Sequence, residues 1–161
     1  VRRNLEAVCL FVLAVQLWIT YRAINGPARL PDRIPTHFDM AGNPNGWGSP
    51  AMLLLLPVVS LGIYLLITAA AQFPSAFNYP VRVTAQNRAQ LQALALAMIA
   101  WLKVEVLVTF SWIQWATIQA ARHVPRSLSP ALMPIALVAV FGTIAWFVVA
   151  MFRAARNPSG A

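Results

Sequence analysis

The chain has 161 residues, of which 60% are apolar and 10% charged, with a formal net charge of +8 and a mean hydropathy of +0.66. Soluble domains carry roughly 45–50% apolar and 25% charged residues, so this composition excludes an ordinary soluble fold. The single cysteine, Cys9, excludes an internal disulfide and reads as a small hydrophobe within an apolar run.

Four apolar runs, residues 5–24, 51–73, 91–119 and 131–152, account for the composition. Each meets the requirement of about 20 residues for crossing a hydrocarbon core roughly 30 Å thick. A helix satisfies its own backbone hydrogen bonds in lipid, so the expected fold class is an all-α integral membrane protein with four transmembrane helices. No linker divides the chain, and residues 1–161 read as one four-helix domain with helices at about 5–24, 51–73, 85–121 and 131–152. The first run is longer than a signal-peptide core of about 7–15 residues and lacks a small-residue cleavage pattern, so it reads as an anchor.

Between the first two helices, residues 30–50 read LPDRIPTHFDMAGNPNGWGSP, a polar, proline- and glycine-rich loop pinned between apolar segments. Loops held by a rigid scaffold carry function disproportionately. Residues 34–38 read as extended, because a residue before proline avoids the helical region. Asn45-Gly46 is the preferred pair for a type I′ turn, so a small hairpin or ordered cap over the helix ends is expected. Gly42, Gly46 and Gly48 would supply positive φ. In an extended strand His37 and Asp39 point to one face. They could be two metal ligands or an acid–base pair, with Glu105 or His123 as a third group. The blander reading, a hydrogen-bonded histidine fixing the cap, fits the loose ligand spacing better. Trp47 is either an aromatic anchor for a peptide or lipid or a belt tryptophan at the membrane interface, and its position favours the belt. Arg33 and Asn43 complete the candidate ligand-binding set of the loop.

After the second helix, Pro74 and Pro80 bracket a short loop. Thr84 reads as the cap of the third helix, with Asn87 in place of the usual Glu or Gln of a capping box. The amino-terminal turns of that helix, with Gln86, Asn87, Arg88, Gln90 and Gln92, are expected to project into the aqueous phase. Lys103 and Glu105 are the only charges in the third apolar run. Two residues apart on a helix they cannot pair. Lys103 can snorkel to a boundary. Glu105 has a shorter reach, and an ionisable group inside a membrane is a functional candidate by default. Pro125 and Pro130 mark the next turn, where His123 reads as an exposed loop residue, and Pro134 lies early in the fourth helix. No nucleophile–base pair, phosphate loop, zinc-protease or haem spacing occurs, so no catalytic residue and no cofactor is assigned.

The arginines border the apolar runs rather than clustering, which argues against nucleic acid and for contacts to lipid headgroups. With the termini cytoplasmic, Arg2, Arg3, Arg82, Arg88, Arg153 and Arg156 lie inside, against Arg22, Arg29, Arg33, Arg122 and Arg126 outside. Six against five is a weak vote for that orientation.

The motif Leu30-Pro31-Asp32-Arg33-Ile34-Pro35-Thr36-His37-Phe38, with Gly42, Gly46 and Trp47-Gly48-Ser49, resembles the SdpI-like family. This is the membrane domain of unknown function that opens immunity proteins against the sporulation-delaying toxin. Phe77-Asn78-Tyr79-Pro80 with Thr84, Asn87 and Arg88, and Trp101-Leu102-Lys103 with Glu105, extend the resemblance. Asp39 stands where the family usually has Asn, Asn45 where it has an acid, and Pro50 where it has a base. The resemblance implies a multi-pass plasma-membrane protein with the motif loop outside. It also implies toxin-peptide immunity or sensing, with a peptide toxin or a cytoplasmic repressor as partner besides membrane lipid. The sequence therefore leads to the expectation of a protein binding a hydrophobic or amphipathic ligand at its outer loop. The alternative is a membrane enzyme or carrier that uses His37, Asp39 and Glu105 on a lipid-like substrate.

Overall fold

A computed structural model describes residues 2–27, 30–122 and 129–156. The helices are α1 (Arg2–Asn25), α2 (Leu55–Ala70), α3 (Arg88–Arg122) and α4 (Leu132–Arg156). Short 3-10 turns at Pro50–Leu54 and Pro74–Ala76 flank α2. Counting the Pro50–Leu54 turn with α2, all four are long and apolar enough to cross a membrane, as in a multi-pass membrane protein.

Contacts fix the directions of the helices. Glu6 meets Lys103 and Thr20 meets Gln114, so α1 and α3 run parallel. Leu53 meets Gln114 while Thr68 meets Lys103, so α2 runs against them. Thr143 meets Glu105, and Met151 and Ala154 pack with Leu91 and Ala95, so α4 also runs against α3. The start of α1 and the end of α4 therefore lie at one end of the bundle. α4 packs on α3 and has little contact with α1 or α2.

Local chemistry accounts for the boundaries. Gly26 closes α1 by donating its N–H to the Arg22 carbonyl at 3.0 Å, and a Cβ there would fall 2.3 Å from that oxygen. Only glycine fits, and Pro27 follows. At the start of α3 the reciprocal bonds expected of Thr84 and Asn87 are present. The Thr84 N–H donates to Asn87 Oδ1 at 2.7 Å, and the Asn87 N–H donates to Thr84 Oγ1 at 3.3 Å. Asn87 also donates to the Arg82 carbonyl and is buried rather than projecting into water.

β1 (Ile34–Phe38) and β2 (Pro44–Gly48) form an antiparallel hairpin over one end of the bundle. Ile34 anchors it, buried with Ala23 of α1, Leu53 before α2, and Ile118 and Ala121 of α3. The turn differs from expectation. Asn45 and Gly46 lie within β2, and Gly42 is the only residue with positive φ among those described, at 83°. The chain reverses over residues 39–43, where Asp39 bonds the Asn43 backbone and Gly42 adopts the left-handed conformation. Gly46 and Gly48 serve close approach instead. A Cβ on Gly46 would meet His37 Cβ at 2.8 Å, and one on Gly48 would meet Thr36 Cγ2 at 3.0 Å.

Candidate functional site

Beneath the hairpin lies a cavity of about 660 Å³. Four parts of the chain build it. The roof is Thr36 to Met40 with Gly42, and the floor is Ile113, Gln114 and Thr117 of α3. Met52, Leu55 and Leu56 form one wall, and Leu132, Met133 and Leu137 of α4 form the other. Because α2 and α4 both pack on α3 but hardly on each other, the cavity lies in the cleft between them. Such a volume, mostly apolar with a few polar groups, has the character of a small-ligand site.

The polar groups gather at the roof and the floor. Asp39 is exposed; its Oδ1 accepts the Asn43 backbone N–H at 2.8 Å, and its Oδ2 accepts the Asn43 amide at 3.4 Å. The Asn43 N–H, aided by the Asn43 side chain, holds the Asp39 carboxyl below the ordinary carboxylate range. His37 Nδ1 pairs with Asn45 Oδ1 across the hairpin rather than with Asp39. Gln114 is buried, and its amide donates to Thr20 Oγ1 and to the Leu53 carbonyl, both at 2.8 Å. Its Oε1 has no protein donor among the described residues, so the floor presents an acceptor.

The sequence candidates separate into three groups. His37 and Asp39 line the cavity together, although as independent hydrogen-bonded groups and not as an acid–base pair. Asn43 shapes the turn through Asp39. Arg33 and Trp47 belong to the hairpin region but not to the cavity lining; Trp47 is 44% exposed, opposite Pro35.

Lys103 and Glu105 lie deeper, on different faces of α3. Lys103 is 2% exposed, bonds Glu6 Oε1 at 2.6 Å and Thr68 Oγ1 at 3.0 Å, and places Nζ 4.6 Å from the centre of the Tyr64 ring. It is a paired interior cation, which corrects the expectation of a snorkelling one. Glu105 accepts the Thr143 hydroxyl of α4, and its second oxygen is buried without a partner among the described residues. Along α3, Glu105 is about 12 Å from Ile113 at the cavity floor. His123 lies outside the described residues. Among those described, no three of His, Cys, Asp and Glu gather in a way that could hold a metal ion.

Among site residues, sequence reasoning missed Glu6, Gln114, Thr117 and the apolar walls. Glu6 was readable as the one acid in the first apolar run, hence as a counter-charge for Lys103. The walls carry no such signal, since Leu and Met abound throughout the chain.

Residues 8–61 match a family described as a domain of unknown function, DUF1648. The match covers most of α1, the whole hairpin and the first part of α2. No curated protein and no solved structure matches the chain.

Proposed function

We propose that this protein is a non-enzymatic receptor for an amphipathic ligand, which enters the α2–α4 cleft and sets its polar end under the hairpin. The observation that carries the reading is the cavity itself, apolar along α2 and α4 and polar at His37, Asp39, Gln114 and Thr117. A free lipid-like tail suits the walls, and a hydrogen-bonding head suits the roof and floor. Toxin-peptide immunity or sensing is the most specific form of this function. It goes with a plasma-membrane location, cytoplasmic termini and an outward hairpin. A repressor held at the cytoplasmic side is a further partner consistent with that role. Membrane lipid surrounds the bundle in either case.

The alternative, an enzyme or carrier using His37, Asp39 and Glu105, requires those groups to converge. The engagement of Glu105 by Thr143, one helix face and about 12 Å away, weighs against it.

The test is survival of cells expressing the protein when challenged with a sporulation-delaying-type toxin peptide. His37→Ala and Asp39→Ala should abolish protection at unchanged membrane levels, while Glu105→Gln should leave it intact. Loss of protein in step with loss of protection would make the two loop residues structural pins, and loss of protection in Glu105→Gln would favour the alternative. Orientation is tested separately: Ser49→Cys in a Cys9→Ala background should react with an impermeant thiol reagent in intact cells. Labelling only after lysis would reverse it.

A further inference from the structure

At the opposite end of the bundle a second crevice of about 580 Å³ runs between α3 and α4. One wall is a single stripe of α4, with Gly142, Ala145, Trp146 and Val149 leading to Arg153 at three- and four-residue steps. Leu94 and Gln90 of α3 face it. We propose that this crevice is a binding site for one anionic phospholipid, its phosphate at Arg153 and Gln90 and one acyl chain lying along α4 as far as Gly142.

Three observations support the assignment. First, from Gly142 to Arg153 the helix rises about 16 Å, close to half of a hydrocarbon core about 30 Å thick. The crevice thus has the length of one leaflet, with its cation at one end and its smallest residue at the other. Second, the charge is complementary to an anionic headgroup. Arg88 opens α3 and Arg156 ends α4 at the same end of the bundle as Arg153. The one acid at the end where α1 begins, Glu6, is paired with Lys103, and Arg153 has no ion-pair partner among the described residues. Third, the crevice stays open along its apolar length. A Cβ at Gly142 would meet no atom within 4 Å, while Trp146, 71% exposed, stands beside it as a wall. The site is distinct from the cavity under the hairpin and shares no residue with it.

The full chain, purified in detergent, would be incubated with phosphatidylglycerol or with phosphatidylcholine of identical chains and examined by native mass spectrometry. One phosphatidylglycerol should survive collisional activation that strips phosphatidylcholine. Arg153→Gln should lower the retained fraction about fivefold, as expected for one arginine at an anionic surface, and Arg156→Gln, outside the crevice lining, should lower it clearly less. Gly142→Leu, whose Cβ enters open space and whose side chain occupies the crevice, should displace the lipid at unchanged thermal stability. Equal retention of the two lipids would overturn the proposal. So would equal losses in Arg153→Gln and Arg156→Gln, or full retention in Gly142→Leu.

Discussion

Removing either member of the Lys103–Glu6 pair should have unequal consequences, because the two side chains differ in exposure. Lys103 is 2% exposed and Glu6 30%. Glu6→Gln removes the counter-charge from an interior ammonium and leaves it only neutral partners, the substituted amide, the Thr68 hydroxyl and the Tyr64 ring. Stripping one partner from a buried pair costs about 3–5 kcal/mol, and these neutral contacts set the expectation near the lower end, at about 3 kcal/mol. Lys103→Met instead leaves a carboxylate at the bundle surface, about one turn from the start of α1. Pairs with exposed members contribute about 0–1 kcal/mol, and Met occupies much of the vacated volume, so the expected cost is about 1 kcal/mol. The double variant has no bare charge and should resemble Lys103→Met. Its cost should fall short of the sum of the singles by about 2–3 kcal/mol, a coupling typical of groups in direct contact. Reversible unfolding in mixed micelles with increasing dodecyl sulfate, followed by circular dichroism, measures all three. Equal costs for the two singles, or additivity within about 0.5 kcal/mol, would refute the reasoning that burial of Lys103 makes the pair asymmetric.

Gly42→Ala should destabilise the hairpin by about 1–2 kcal/mol, since φ of 83° is strained for any residue with a Cβ. Hydrogen exchange across β1 and β2 reads the loss, and an unchanged pattern would remove Gly42 as the turn residue. Asp39 has a lowered carboxyl pKa in the fold, so its contribution to the turn is complete above the unfolded value and fades as pH falls through the lower folded one. Acidification below the ordinary carboxylate range should therefore lower the protection of the Asn43 and Asp39 amides, relative to their intrinsic exchange at each pH, in the native protein but change little in Asp39→Asn. Thr84→Ala removes the acceptor for the Asn87 N–H and should cost about 0.5–2 kcal/mol, observed as fraying confined to the start of α3. Gln114→Leu leaves the Leu53 carbonyl without its donor and should cost about 1–3 kcal/mol. A neutral result there would mean that another group takes over the bond.

The four helices were legible because length and apolarity alone specify a membrane span, and the observed ends lie within a few residues of those expected. Thr84 with Asn87 was legible as well, since a capping box acts over three residues. The turn was misread for a local reason. Asn45-Gly46 has the right propensity, but Asp39 can bond the Asn43 backbone while Gly42 takes positive φ, and that places the reversal earlier. Glu6 was overlooked because its partner stands 97 residues away. The cavity was the least legible feature. Its polar members belong to the hairpin and α3, its apolar members to α2 and α4, and only packing brings them to one place.

Among the described residues, α4 is fastened to the bundle chiefly through α3. Its apolar part, residues 132–152, spans about 32 Å, close to an average hydrocarbon core of about 30 Å. In a thinner bilayer such a helix accommodates the excess by tilting. With little contact to α1 or α2, that tilt would swing Leu132, Met133 and Leu137 relative to Leu55 and Leu56 across the cleft. Lipid chain length thereby becomes an input to the shape of the cavity. The same protein, moved between a thick and a thin bilayer, would hold that cavity's mouth in a different shape without any change in sequence or charge.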